Sequence, residues 1–140
     1  VLEAEEICRR GTVCWVKGDL ELAIARFTEA LRVSPTFARA HCNRGSIYCD
    51  QGKLDEAIAD FTEAIRLKPD YARAFNNRGF AYRKAGKLDL AIADFTEALR
   101  INPKYAEAYQ NRAAAYRAMN EVAKSEADLG MCKRLRAGST

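Results

Sequence analysis

Three features of this 140-residue chain predict an all-α solenoid, a stack of about four helical hairpins. Its three prolines, Pro35, Pro69 and Pro103, stand at a constant spacing of 34 residues. Residues 38–71 and 72–105 are identical at most positions, including the blocks GKLD and AIADFTEA. Each unit also holds two apolar stripes of helical period. A fixed period of this length means one supersecondary unit stacked repeatedly. Function is then to be sought on the surface that the stack creates.

The units are placed at about 4–37, 38–71, 72–105 and 106–139, in a single domain spanning 1–140. The third unit shows the logic of all four. From Ala72 to Ala85, Phe75, Gly79 and Tyr82 fall at helical spacing, and Gly86 ends the helix as a left-handed C-terminal glycine does. Leu88, Ala91, Ile92, Phe95, Ala98, Leu99 and Ile101 form the second stripe. Asp89 near its start and Arg100 in its last turn complement the helix dipole. Asn102-Pro103 stops it, because the residue before proline is disfavoured in the α region.

Small residues recur where helices must approach. Gly11, Gly45, Gly79 and Ala113 share one place on the first helices. Ala23, Ala57, Ala91 and Ser125 share one on the second helices, as do Ala30, Ala64, Ala98 and Cys132. Bulky partners recur opposite them: Tyr48, Tyr82 and Tyr116, and Phe27, Phe61, Phe95 and Leu129. Large side chains facing small ones allow interaxial distances of roughly 8–10 Å.

The set Gly45, Tyr48, Ala57, Phe61, Ala64, Pro69, repeated as Gly79, Tyr82, Ala91, Phe95, Ala98, Pro103, resembles the tetratricopeptide repeat family from about Ala4 to Arg136. The resemblance implies a right-handed α-solenoid that binds proteins or peptides. The first unit departs in having Cys14 where the others carry tyrosine. The fourth has Asn120 for the turn glycine and Ala137 for the proline. Its last helix, about 121–136, is interrupted by Lys124, Glu126, Asp128, Lys133, Arg134 and Arg136, which suits a cap with a water-compatible face.

In this family the first helix of each unit lines a concave groove. Carried over by register, that places inward Trp15 of the first unit and Arg39 and Asn43 of the second. It likewise places Arg73, Asn76, Asn77, Phe80, Arg83 and Lys84 of the third, and Gln110, Asn111 and Arg117 of the fourth. Arg9 with Arg39, Arg73, Arg83, Lys84 and Arg117 outnumber Glu5, Asp50 and Glu107, so the expected ligand is a neutral-to-acidic segment. Asn43, Asn77 and Asn111 recur once per unit. An amide offers both a donor and an acceptor, matching one peptide unit of an extended chain. The resemblance likens them to an asparagine ladder that grips backbone. The arginines that follow, Arg44, Arg78 and Arg112, are expected in helix–helix or rim charge pairs. Glu29–Arg32, Glu63–Arg66 and Glu97–Arg100 are expected as solvated pairs on the convex face.

A related family pattern, the two-carboxylate clamp for chaperone C-termini, needs Lys and Asn in its first unit, Asn in its second, and Lys and Arg in its third. Those places hold Cys8, Thr12, Asn43, Arg73 and Asn77 here, so a chaperone C-terminus is not the expected partner.

Other classes of function find little support. No apolar run approaches the ~18 residues of a membrane span. The net charge of +4 is dispersed, and only Trp15 and Phe80 could stack on bases, which argues against nucleic acid. The cysteines (Cys8, Cys14, Cys42, Cys49, Cys132) are odd in number and include no CxxC pair, favouring a reducing, cytoplasmic setting over disulfides or a metal. His41, the only histidine, takes the packing place of Ile7, Phe75 and Tyr109. No phosphate loop, carboxylate pair or nucleophile motif appears, so no enzyme and no cofactor are expected. The chain opens on Val1, as a processed or excised piece would. The alternatives to peptide binding are self-association, stacking through apolar edges at Leu2, Ile7, Leu129 or Met131, and, less favoured, RNA binding by the basic groove.

Overall fold

The computed structural model describes residues 2–138, which form eight helices and no strand. They pack as two compact units, Val1–Pro69 and Asp70–Thr140, each of two helical hairpins.

The first unit contains α1 (Leu2–Val16), α2 (Leu20–Val33), α3 (Ala38–Asp50) and α4 (Leu54–Leu67). Asp19 caps α2, its carboxylate accepting from Leu22 N at 3.3 Å. The core gathers Ile7, Ala23, Phe27, Ala30, Leu31, Ala40 and Ile47, with Trp15, Leu20 and Phe37 partly buried around them. Ile7 therefore points inward and is not part of an exposed edge, which corrects the expectation from its place on α1. The Leu2 side chain lies outside the described residues.

The second unit contains α5 (Ala72–Lys84), α6 (Leu88–Ile101), α7 (Ala106–Ala118) and α8 (Val122–Gly138). The α5–α6 turn places Gly86 at φ 79°, and the α7–α8 turn places Asn120 at φ 63°. Asparagine is among the few residues that tolerate this region. Phe95 is fully buried with Ala91 and Ala115. A second cluster joins Ala98, Leu99 and Ala108 beneath Phe75, Tyr105 and Tyr109.

The small-to-large pairing is steric. A Cβ added at Gly79 would lie 2.6 Å from the Phe95 ring, and one at Gly45 2.8 Å from Phe61. In the last hairpin both partners change together: Ala113 replaces the glycine and Leu129 the phenylalanine. The smaller ring-less side chain makes room for the methyl group.

Candidate functional site

A repeated clasp ties each of the last three hairpins. Arg44, Arg78 and Arg112 on first helices each grip an aspartate on the following helix with two bonds: Asp60, Asp94 and Asp128, at 2.8–2.9 Å. Arg44 and Arg112 also donate to Thr28 and Thr96 of the preceding hairpin, both at 3.1 Å. Hydrogen bonding to the aspartates holds all three guanidiniums above their usual range, with burial working the other way. These arginines are the helix–helix pairs expected from sequence. Their partners were equally available, since Asp60, Asp94 and Asp128 recur at the repeat spacing.

The first hairpin lacks this clasp. Arg26 stands where the aspartates stand, and it pairs with Glu29 at 3.2 Å, while Arg10 pairs with Glu6. Glu29 is thereby drawn to Arg26 rather than to Arg32, the partner expected from spacing. Glu63–Arg66 and Glu97–Arg100 form as expected.

The remaining cations of the first helices behave differently. Arg39 stacks on Phe37 with its guanidinium 5.2 Å from the ring centroid. Arg83 and Lys84 both lie over Phe80, at 5.2 and 5.4 Å. Arg73 stacks on Tyr71 and donates to its hydroxyl at 3.1 Å. Arg117 is exposed and borders a hollow of about 260 Å³ with Gln110, Ala113, Ala114, Ser125 and Leu129. Among the described residues, Arg39, Arg83, Lys84 and Arg117 have no carboxylate within salt-bridge distance.

The amides fall into two environments. Asn43 and Asn76 are buried, at 5% and 1% exposure, whereas Asn77 and Asn111 are half-buried. Asn111 donates to Asn76 Oδ1 at 3.0 Å, joining α7 to α5, and the buried Asn76 amide nitrogen has no partner among the described residues. Gln110 is exposed and accepts from Arg136 at 2.7 Å. Trp15 is half-buried and stands edge-on to Phe27, with centroids 6.5 Å apart. It therefore anchors the first core with one face and leaves only part of its ring accessible.

His41 is more than a packed ring. Its Nδ1 meets Asp60 Oδ1 at 3.3 Å and its Nε2 the Pro35 carbonyl at 3.1 Å. None of the five cysteines is in a disulfide, and Cys8, Cys42 and Cys132 are buried. Among the described residues no group of His, Cys, Asp and Glu could hold a metal ion, and no helix is long and apolar enough to cross a membrane.

Comparison with known proteins agrees with this architecture. A family model described as TPR repeat matches residues 13–48 and 45–86, and models described as tetratricopeptide repeat match 72–105 and 95–127. No curated protein matches the sequence. Among solved structures, a crystal structure of MamA superposes with a TM-score of 0.89 at 23% identity, over 97% of this chain and 80% of that one. MamA 41-end from Desulfovibrio magneticus RS-1 gives 0.87 at 18%, over 96% and 76%. The first TPR of Spaghetti (RPAP3), solved bound to the HSP90 peptide SRMEEVD, gives 0.82 at 26%, over 84% and 93%. The periodic hairpins, the glycine–phenylalanine contacts and these matches agree that the chain belongs to the tetratricopeptide repeat family of protein-interaction modules.

Proposed function

We propose that this protein is a binding scaffold, not an enzyme, and that it grips an extended, neutral-to-acidic segment of a partner along the inner faces of its first helices. The observation that carries this reading is the division among its arginines and lysines. Arg44, Arg78 and Arg112 are consumed by buried aspartates, whereas Arg39, Arg83, Lys84 and Arg117 face no carboxylate of the described residues. Stacking on Phe37 and Phe80 holds three of these four in place without neutralising them. An acidic ligand supplies the missing charge; neutral segments use the half-buried amides of Asn77 and Asn111, the buried Asn43 serving the helix packing. The peptide seen on the similar RPAP3 domain is itself acidic, which supports the mode. The clamp places holding Cys8, Thr12 and Arg73 here argue that the ligand is not a chaperone C-terminus. The cysteine usage supports work as an adaptor in the cytoplasm.

Labelled extended peptides of equal length and opposite charge test this by fluorescence anisotropy. Acidic peptides are expected to bind more tightly, and their affinity to fall as salt rises, because exposed charges are screened over ~10 Å at 0.1 M. The double variant Arg73→Glu/Arg83→Glu is expected to reverse the preference. Binding that ignores both salt and peptide charge would overturn the reading.

A further inference from the structure

The end of the second unit holds a cavity of about 480 Å³ between the start of α7 and the last turns of α8, lined by Lys104, Ala106, Arg134, Leu135, Arg136 and Gly138. Two departures from the chain's own repeat create it. In the second and third units the arginine at the place of Arg134 is neutralised: Arg66 by Glu63, and Arg100 by Glu97. The fourth unit has Met131 at the glutamate's place, and Arg134 has no carboxylate partner among the described residues. The second departure is Ala137 at the place of Pro35, Pro69 and Pro103. Without that proline α8 continues for 17 residues, against 14 in α2, α4 and α6, so Arg134 and Arg136 stand on continuous helix beside the start of α7.

Lys104 faces them from a fixed turn. Its backbone nitrogen donates to Asn102 Oδ1 at 3.1 Å, and Tyr105 N donates to the Asn102 carbonyl at 3.1 Å. Among the described residues no carboxylate lines the cavity, and Ala106 opens α7, whose amino-terminal dipole adds positive potential.

We propose that this cavity is an anion site that takes the carboxylates of an acidic peptide segment. Three cationic side chains converge on it, while Leu135 and Ala106 offer apolar surface to glutamate methylenes. Among the described residues no aromatic side chain lines it on which a base could stack, which disfavours a nucleic acid. The bond from Arg136 to Gln110 connects it to the inner face of α7, so one ligand could reach both. The site rests on the scaffold reading for the class of its ligand, and on Lys104, Arg134 and Met131 for its place.

Labelled hexaglutamate is the probe, read by anisotropy in about 0.05 M salt. The intact chain is expected to bind it, and Lys104→Ala/Arg134→Ala to weaken binding about tenfold. Met131→Glu, which restores the partner seen at Glu63 and Glu97, is expected to weaken it about threefold while both cations remain. Arg32→Ala, which removes the exposed arginine at the same repeat place in the first unit, is expected to leave hexaglutamate affinity within about twofold. No binding by the intact chain, or equal binding by Lys104→Ala/Arg134→Ala, would overturn the site. Tighter binding of an oligonucleotide of equal charge would overturn its ligand class. Loss of hexaglutamate binding in Arg73→Glu/Arg83→Glu, with full binding in Lys104→Ala/Arg134→Ala, would leave the inner-face reading standing and sink this one.

Discussion

His41 Nδ1 lies 3.3 Å from Asp60 Oδ1, on the same carboxylate that Arg44 grips with two bonds of 2.8 Å. Among the described residues the equivalent Asp94 has Arg78 alone, because Phe75 stands at the place of His41. The two aspartates respond in opposite directions. Burial raises the pKa of both. At Asp60 the bonds from Arg44 and His41 outweigh it and leave the carboxyl below its usual range. At Asp94 burial prevails over Arg78, and the carboxyl is left above it.

The sign of each effect on stability follows. An aspartate depressed by folding stabilises above its unfolded pKa of about 3.9, and that contribution is lost as pH falls through the folded value. An aspartate raised by folding does the reverse: protonation favours the fold as pH falls through its elevated pKa. His41→Phe should therefore move Asp60 toward the behaviour of Asp94. The variant is expected to lose about 1 kcal/mol at neutral pH and to show a shallower fall in stability on acidification. Urea unfolding between about pH 7 and pH 3 measures both; parallel acid limbs in the two proteins would show that His41 does not govern Asp60.

Removing Arg78 should be far more costly than removing the whole clasp. Arg78→Met leaves Asp94, only 6% exposed, as a buried charge without its bidentate partner. A loss of about 3 kcal/mol is expected, whereas Arg78→Met/Asp94→Leu should recover most of it. A double variant no more stable than the single one would mean that the clasp is irreplaceable by apolar packing.

The clasp also marks where the sequence was legible. The hairpins, the turn at Asn120 and the glycine–phenylalanine contacts follow from periodicity, because each is a local consequence of helical spacing. The charge-pair role of Arg44, Arg78 and Arg112 was legible too, and the aspartates sixteen residues on recur at the same 34-residue spacing. The pairing of Glu29 with Arg26 was not legible, since i,i+3 spacing offers Arg26 and Arg32 equally. Nor was the division among the amides. Asn43, Asn77 and Asn111 look equivalent in sequence, but burial depends on which side chain the next helix presents, and Asn111 found Asn76.

That bond gives the recurring amides a share in stability as well as in binding. Asn43→Ala/Asn77→Ala/Asn111→Ala removes a buried amide and an inter-helix hydrogen bond, so a stability loss of about 2 kcal/mol is expected in addition to weakened peptide binding. Asn77→Ala alone replaces a half-buried amide and should weaken binding with a smaller change in melting temperature. Peptide affinity unchanged in Asn77→Ala would remove that amide from the binding face.

Gly79→Ala should destabilise the second unit by about 1–3 kcal/mol, because the new methyl group would meet the Phe95 ring at 2.6 Å. The chain carries its own compensation, Ala113 opposite Leu129. Gly79→Ala/Phe95→Leu reproduces that pair, and a coupling of about 1 kcal/mol in its favour is expected from a double-mutant cycle. Strictly additive losses would show that the glycine serves something other than the ring.

Ser125 occupies the place of Ala23, Ala57 and Ala91, and its hydroxyl is buried without a partner among the described residues. In α5 and α6 the corresponding surface is covered, since Ala115 of α7 packs on Ala91 and Phe95. At α7 and α8 it borders the hollow of about 260 Å³ beside Leu129, which is 36% exposed. An unsatisfied buried hydroxyl costs on the order of 1 kcal/mol or more, and the methyl group of alanine carries no such cost. Ser125→Ala is therefore expected to stabilise the fold by about 1 kcal/mol and to slow amide exchange most in α7 and α8. A neutral or destabilising result would mean that water or a ligand in the hollow already satisfies the hydroxyl; the same measurement with hexaglutamate or the partner segment present would then show whether occupancy of this end of the molecule depends on Ser125.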